Sequence, residues 1–199
     1  MGYSSHYEGT PIIRPTFYSF QQDPQTHEQA FDFMLGPYLL VSPIYEMCAV
    51  EKSVYLPNGK VRYFDIFNKT WFKGGQRVTC SVPLHQAGAV FALSGSIIPI
   101  NSVPGRNTED DSSREIWLFI DPESEGRSQT IIIDDDGTSL NPALLKISID
   151  VVWQRQKVQV SVKVLDQSWS PRYSELRFIL QGSAGELSVN EIANPVFPI

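Results

Sequence analysis

Val158, Val160, Val162 and Val164 alternate with polar residues through 157–164, which puts an apolar face and a polar face on one segment, the period of a half-buried β-strand. Short apolar or alternating runs recur between turn residues from residue 38 onward, the pattern of sandwiches and barrels. A first group covers 38–44, 52–56, 61–67, 76–81, 89–93 and 96–100, punctuated by Asn58-Gly59 and Gly74-Gly75. A second covers 115–120, 128–133, 144–154, 157–164 and 175–180. Between them, 101–114 loses its apolar residues and gains Pro104, Gly105 and the run Glu109-Asp110-Asp111, which is linker chemistry.

Ahead of these groups, 10–15 reads as a short strand bounded by Pro11 and Pro15. Asp23 followed by Pro24 is a helix start, with a carboxylate as N-cap and proline where its missing N–H costs nothing. Ala30, Phe33 and Met34 then share one helical face, and Gly36-Pro37 ends it, so the pattern predicts a helix over about 24–35. The expected fold is mainly β: a short βα segment at 1–37, a small antiparallel β-sandwich at 38–104 and a second antiparallel one at 105–199.

At 199 residues with 42% apolar content the chain can bury a sizeable core. A net charge of −6 with its 16 basic residues scattered singly argues against nucleic acid. No apolar run approaches a membrane span, the N-terminus lacks the basic and apolar regions of a signal peptide, and the sequence carries no address. Cys48 and Cys80 are too few for a disulfide framework and read as two buried thiols.

The segment Gly9-Thr10-Pro11-Ile12-Ile13-Arg14-Pro15-Thr16-Phe17 resembles the G-x-P-x-x-R-P-L-F stretch of glycoside hydrolase family 31. The likeness continues through Asp23, through Gln29-Ala30-Phe31-Asp32-Phe33-Met34-Leu35-Gly36 and through Leu39-Leu40-Val41-Ser42-Pro43-Ile44. Val54-Tyr55-Leu56-Pro57-Asn58-Gly59, Gly74-Gly75, Gly95-Ser96-Ile97-Ile98-Pro99 and Asp135-Asp136-Gly137 follow in the family's order. Two departures stand out: Val61-Arg62-Tyr63 where a Trp is usual, and Leu93-Ser94 where Arg-Gly is usual.

The resemblance implies the end of a catalytic (β/α)8 barrel at 1–37, then a proximal and a distal C-terminal β-domain. It implies a retaining α-glycosidase parent, α-glucosidase-like, acting on an α-linked glucoside or oligosaccharide. Both catalytic aspartates would then come from barrel strands that precede residue 1, so no acid here takes a catalytic role and no cofactor is implied. The expected partner is the upstream barrel of the same protein. Ile12, Ile13, Phe17, Phe31 and Phe33 would face it, and in its absence would drive self-association. The alternatives are an autonomous carbohydrate-binding or structural β-domain pair, and a parent with α-glucan lyase or transglucosidase chemistry.

Individual residues are weighed on the same terms. Asp134, Asp135 and Asp136 offer three adjacent carboxylates for calcium or acid–base work, against a solvated Asp-Gly turn. His6, His27 and His85 have no metal-ligand or triad spacing. Arg14 would reach a barrel mouth, against an interdomain ion pair. Trp117 and Trp153 sit in apolar runs and belong to the core, which leaves Trp71 and Trp169, expected in loops, as candidates for stacking on a sugar.

Overall fold

The computed structural model describes residues 2–101, 114–155, 157–171, 173, 175–182 and 186–193. The chain divides into two compact units, Met1–Ser94 and Gly95–Ile199. The boundary read from sequence at 104/105 lies outside the described residues. Among the described residues no helix is long and apolar enough to cross a membrane.

The first unit opens with helix α1 (Gly2–Glu8) and carries strands β1 (Ile13–Pro15), β2 (Phe33–Leu35), β3 (Leu39–Pro43), β4 (Glu51–Leu56), β5 (Arg62–Asp65), β6 (Thr70–Lys73), β7 (Gln76–Ser81) and β8 (Gly88–Leu93). Six of them form one antiparallel sheet in the order β1-β2-β3-β8-β5-β6, and β4 pairs with β7. Met34, Leu40 and Phe91 from the larger sheet and Val54 and Val78 from the smaller share one buried cluster, so the unit is a sandwich.

The helix expected over 24–35 does not form. Only Pro24–Glu28 winds, as a 3-10 turn, and Phe33–Leu35 is a strand paired on both sides, Phe33 with Pro15 and with Val41. The cap was read correctly, since Asp23 Oδ1 accepts from the Gln25 amide at 3.1 Å. What overrides the helical spacing is tertiary pairing: Met34 is fully buried between partly buried Phe33 and Leu35, a period of two. Gly36, at φ 61°, turns the chain from β2 into β3 instead of ending a helix. The strand expected as a barrel element, β1, is hydrogen-bonded into the sheet of this unit.

The second unit holds β9 (Ser96–Asn101), β10 (Arg114–Phe119), β11 (Glu125–Asp134), β12 (Leu145–Gln154), β13 (Lys157–Gln167), β14 (Leu176–Gln181) and β15 (Glu186–Ala193). Its sheets run β14-β10-β9 and β11-β12-β13-β15. The strand at 96–101, grouped by sequence with the first sandwich, pairs antiparallel with β10 in this second unit. Parallel pairing of β14 with β10 and of β15 with β13 breaks the expected all-antiparallel plan. Val158, Val160 and Val162 point inward and join Ile116, Ile147 and Trp153 in one cluster, as their alternation requires.

Candidate functional site

Two connections cross between the sheets of the first unit at the same end. Residues 44–50 lead from β3 to β4 and 82–87 from β7 to β8; they are tied by Ile44 N–H to the Ala87 carbonyl at 2.9 Å and by Val82 N–H to the Val50 carbonyl at 2.7 Å. Beneath the first connection lies a shallow cavity of about 190 Å3 lined by Ile44, Tyr45, Glu46, Ala49, Glu51, Lys52 and Ser53. The Tyr45 ring, 57% exposed, is held by Phe31, whose ring centroid lies 4.4 Å away, and by Lys52, whose Nζ lies 4.0 Å from the Tyr45 centroid. Asp32 lies buried beside this group, accepting from the Ser42 hydroxyl at 2.6 Å. Burial holds its carboxyl above the usual range, against the Ser42 hydrogen bond and the charges of Lys52 and Arg77.

Trp71 lies in β6, not in a loop, and packs on Phe64 with centroids 5.0 Å apart. Trp169 does lie between strands, but its ring packs against the core of the second unit and its amide donates to the Leu144 carbonyl at 3.1 Å. Trp153 is core as expected, with its Nε1 donating to the Ser124 hydroxyl at 3.0 Å. Phe31 and Tyr45, which sequence did not single out for sugar contact, are exposed, as are Tyr7, Phe17, Tyr18 and Phe67.

Arg14 is partly buried; its Nε donates to the Pro11 carbonyl at 2.7 Å and its guanidinium lies over Tyr18, 5.5 Å from the centroid. Around it Ile12, Ile13, Phe17 and Tyr18 are exposed, Ile13 by 63%, and Phe31 is exposed as well, whereas Phe33 is partly buried within the sheet.

The three aspartates diverge. Asp134 Oδ2 pairs with Arg114 at 2.6 Å and accepts the Tyr173 hydroxyl at 2.6 Å. Asp135 accepts from the Gly137 amide, and Asp136 accepts from the Thr138 and Ser139 amides and the Ser139 hydroxyl, a turn closed on itself with Gly137 at φ 70°. Those bonds, the Ser139 hydroxyl first, pull the Asp136 carboxyl down to about 2. Among the described residues no group of three or more His, Cys, Asp or Glu side chains is placed to hold a metal ion. Of the two cysteines expected to be buried, Cys80 is; Cys48 is exposed at φ 59° in the 44–50 connection, where no strand pairing covers it.

Residues 9–98 match the sequence profile described as the glycosyl hydrolase family 31 C-terminal domain. The chain is 30% identical over 137 residues to human neutral alpha-glucosidase C, covering 69% of this chain and 15% of that protein. It is 28% identical over 159 residues to an alpha-xylosidase of Saccharolobus solfataricus, covering 77% of this chain and 20% of that protein. Among solved structures it resembles a dextranase of the same family from Flavobacterium johnsoniae, complexed with glucose, with a TM-score of 0.74 and 28% identity over 89% of this chain and 22% of that one. The chain spans between 5% and 20% of the length of such curated relatives.

Proposed function

The chain belongs to glycoside hydrolase family 31, whose C-terminal domain occupies residues 9–98, and we propose that it is the C-terminal part of a retaining α-glycosidase, supporting the catalytic barrel and doing no chemistry alone. The small share of its relatives that it spans carries this reading, because most of each relative lies outside the matched region. Retaining hydrolysis takes two carboxyl groups about 5–5.5 Å apart, one as nucleophile and one as acid and base. In this reading both come from the upstream barrel, and the substrate is an α-linked glucoside or oligosaccharide.

Ile12, Ile13, Phe17 and Phe31 then serve as the barrel-facing surface, with Arg14 holding the turn around Pro11 from which that surface projects. Without the barrel, the same surface draws copies of the chain together. The first unit takes the proximal domain and the second the distal one.

The test is hydrolysis of p-nitrophenyl α-glucoside by the 199-residue chain and by a longer protein that restores the barrel. Turnover only by the longer protein is expected; turnover by the short chain rejects the reading. A product formed without added water marks a lyase parent, and transfer to an added sugar marks a transglucosidase.

A further inference from the structure

We propose that Asn68 is the acceptor of an N-linked glycan, added as the parent protein passes through a secretory lumen. Asn68-Lys69-Thr70 is the sole Asn-x-Ser/Thr triplet in the chain, and its middle residue is not proline, which is the form an oligosaccharyl transferase reads. The fold presents it. Asp65 pairs with Thr70 to close the hairpin of β5 and β6, and Phe67, Asn68, Lys69 and Thr70 are all exposed.

The hairpin tip is held in one shape from beneath. Buried Asp65 accepts the Phe67 and Asn68 amides through Oδ1, each at 3.0 Å, and the Asn68 side-chain amide through Oδ2 at 2.8 Å. Lys69 turns at φ 56° with its amide donating to the Asp65 carbonyl at 2.9 Å. Asn68 Nδ2 carries two hydrogens. The bond to Asp65 uses one and survives modification; the other faces exposed Ser81, whose carbonyl oxygen lies 3.5 Å from Nδ2, and is the one a sugar replaces. In the transfer, the bond from Nδ2 to C1 of the first sugar forms and the C1–O bond to a polyprenyl diphosphate carrier breaks. The diphosphate leaves with the electron pair, and the Nδ2 proton passes to water.

The position also gives the glycan a use. β6 is the last strand of its sheet and β1 lies at the opposite end, so a glycan on the β5–β6 turn shields an edge strand and the exposed Phe67 ring. It leaves the surface around Ile12 and Ile13 clear for the barrel, a point that rests on the family reading above; the acceptor role does not.

The 199-residue chain, directed into the secretory pathway of a eukaryotic host by an added leader, tests the site, with retained and exported protein both analysed. A mass increment removed by peptide N-glycosidase is expected, lost entirely in Asn68→Gln and in Thr70→Ala and kept in Thr70→Ser. Thr70→Ala preserves the Asn68 bond to Asp65, so it decides the matter where Asn68→Gln disturbs the turn. No increment, or an increment that persists in either loss variant, overturns the proposal, as does a glycosylated chain without the amide dispersion of the unglycosylated one. None of these readouts involves hydrolysis of a glucoside, so the fragment reading and this site stand or fall separately.

Discussion

The Tyr55 hydroxyl donates to Asp23 Oδ2 at 2.8 Å across 32 residues of chain, and the Asn58 amide reaches the same oxygen at 2.6 Å. One carboxylate thus caps the 3-10 turn and clamps it to the end of β4. Burial works to raise the Asp23 carboxyl, but the bonds from Asn58, Tyr55 and Gln25 outweigh it and hold it below its ordinary 3.8. In return, burial first and the Asp23 bond and charge next push the Tyr55 hydroxyl up to about 12.

Asp23→Ala is therefore expected to cost about 3 kcal/mol, since it strips a charged acceptor from several donors at once. Asp23→Asn isolates the charge. A carboxyl lowered by folding contributes stability above its unfolded value near 3.8 and loses it as pH falls through the folded value. Urea unfolding should show a deficit for Asp23→Asn at pH 7 that shrinks towards pH 2; a deficit independent of pH refutes the assignment.

Asp32 runs with the opposite sign. Its carboxyl is raised by burial, so the folded state holds the proton more tightly than the unfolded chain, and stability falls as pH climbs from 3.8 through the raised value. Asp32→Asn keeps an acceptor for the Ser42 hydroxyl without the buried charge, and is expected to leave the protein more stable than wild type at pH 7 and no more stable at pH 3. Thermal melts at the two pH values decide it.

These two aspartates mark how far the sequence could be read. Asp23-Pro24 announces its own cap, because a cap is local. Asp32 carries no such signal, since its partner Ser42 arrives only when β2 pairs with β3. The alternation at 157–164 was legible because one face alone decides it, whereas β6 has four residues beside a turn and was missed, which misplaced Trp71 in a loop. The edge strand β15 was missed as well; its pairing with β13 is parallel and long-range. The family-bearing motifs were legible in order and spacing. The recess at Tyr45 was not, because it forms only when 44–50 crosses from one sheet to the other.

Two glycines test the separateness of the cores. A Cβ on Gly88 would lie 2.4 Å from the Ser42 carbonyl oxygen on the neighbouring strand, and one on Gly126 would lie 2.5 Å from Trp153 Cζ2. Backbone cannot yield cheaply, so Gly88→Ala should cost about 2–3 kcal/mol, and Gly126→Ala about 1–3 kcal/mol against a packed indole. Calorimetry is expected to show Gly88→Ala lowering the transition of the first unit alone and Gly126→Ala that of the second. A shared shift in both variants means the units unfold as one.

The cysteines differ in a way that a thiol reagent reads directly. Cys48 is exposed, whereas Cys80 is buried on β7, and burial followed by the charge of Asp65 pushes its thiol up to about 12. The thiolate is the reactive form, so Cys80 is both shielded and protonated at neutral pH. Native protein at pH 8 should release one equivalent of chromophore from Ellman's reagent promptly, and the second only on unfolding in guanidinium. Cys48→Ser should abolish the prompt phase. Prompt reaction persisting in that variant would mean that the first unit opens readily around β7, and the clamp between Asp23 and Tyr55 would be the first contact to re-examine.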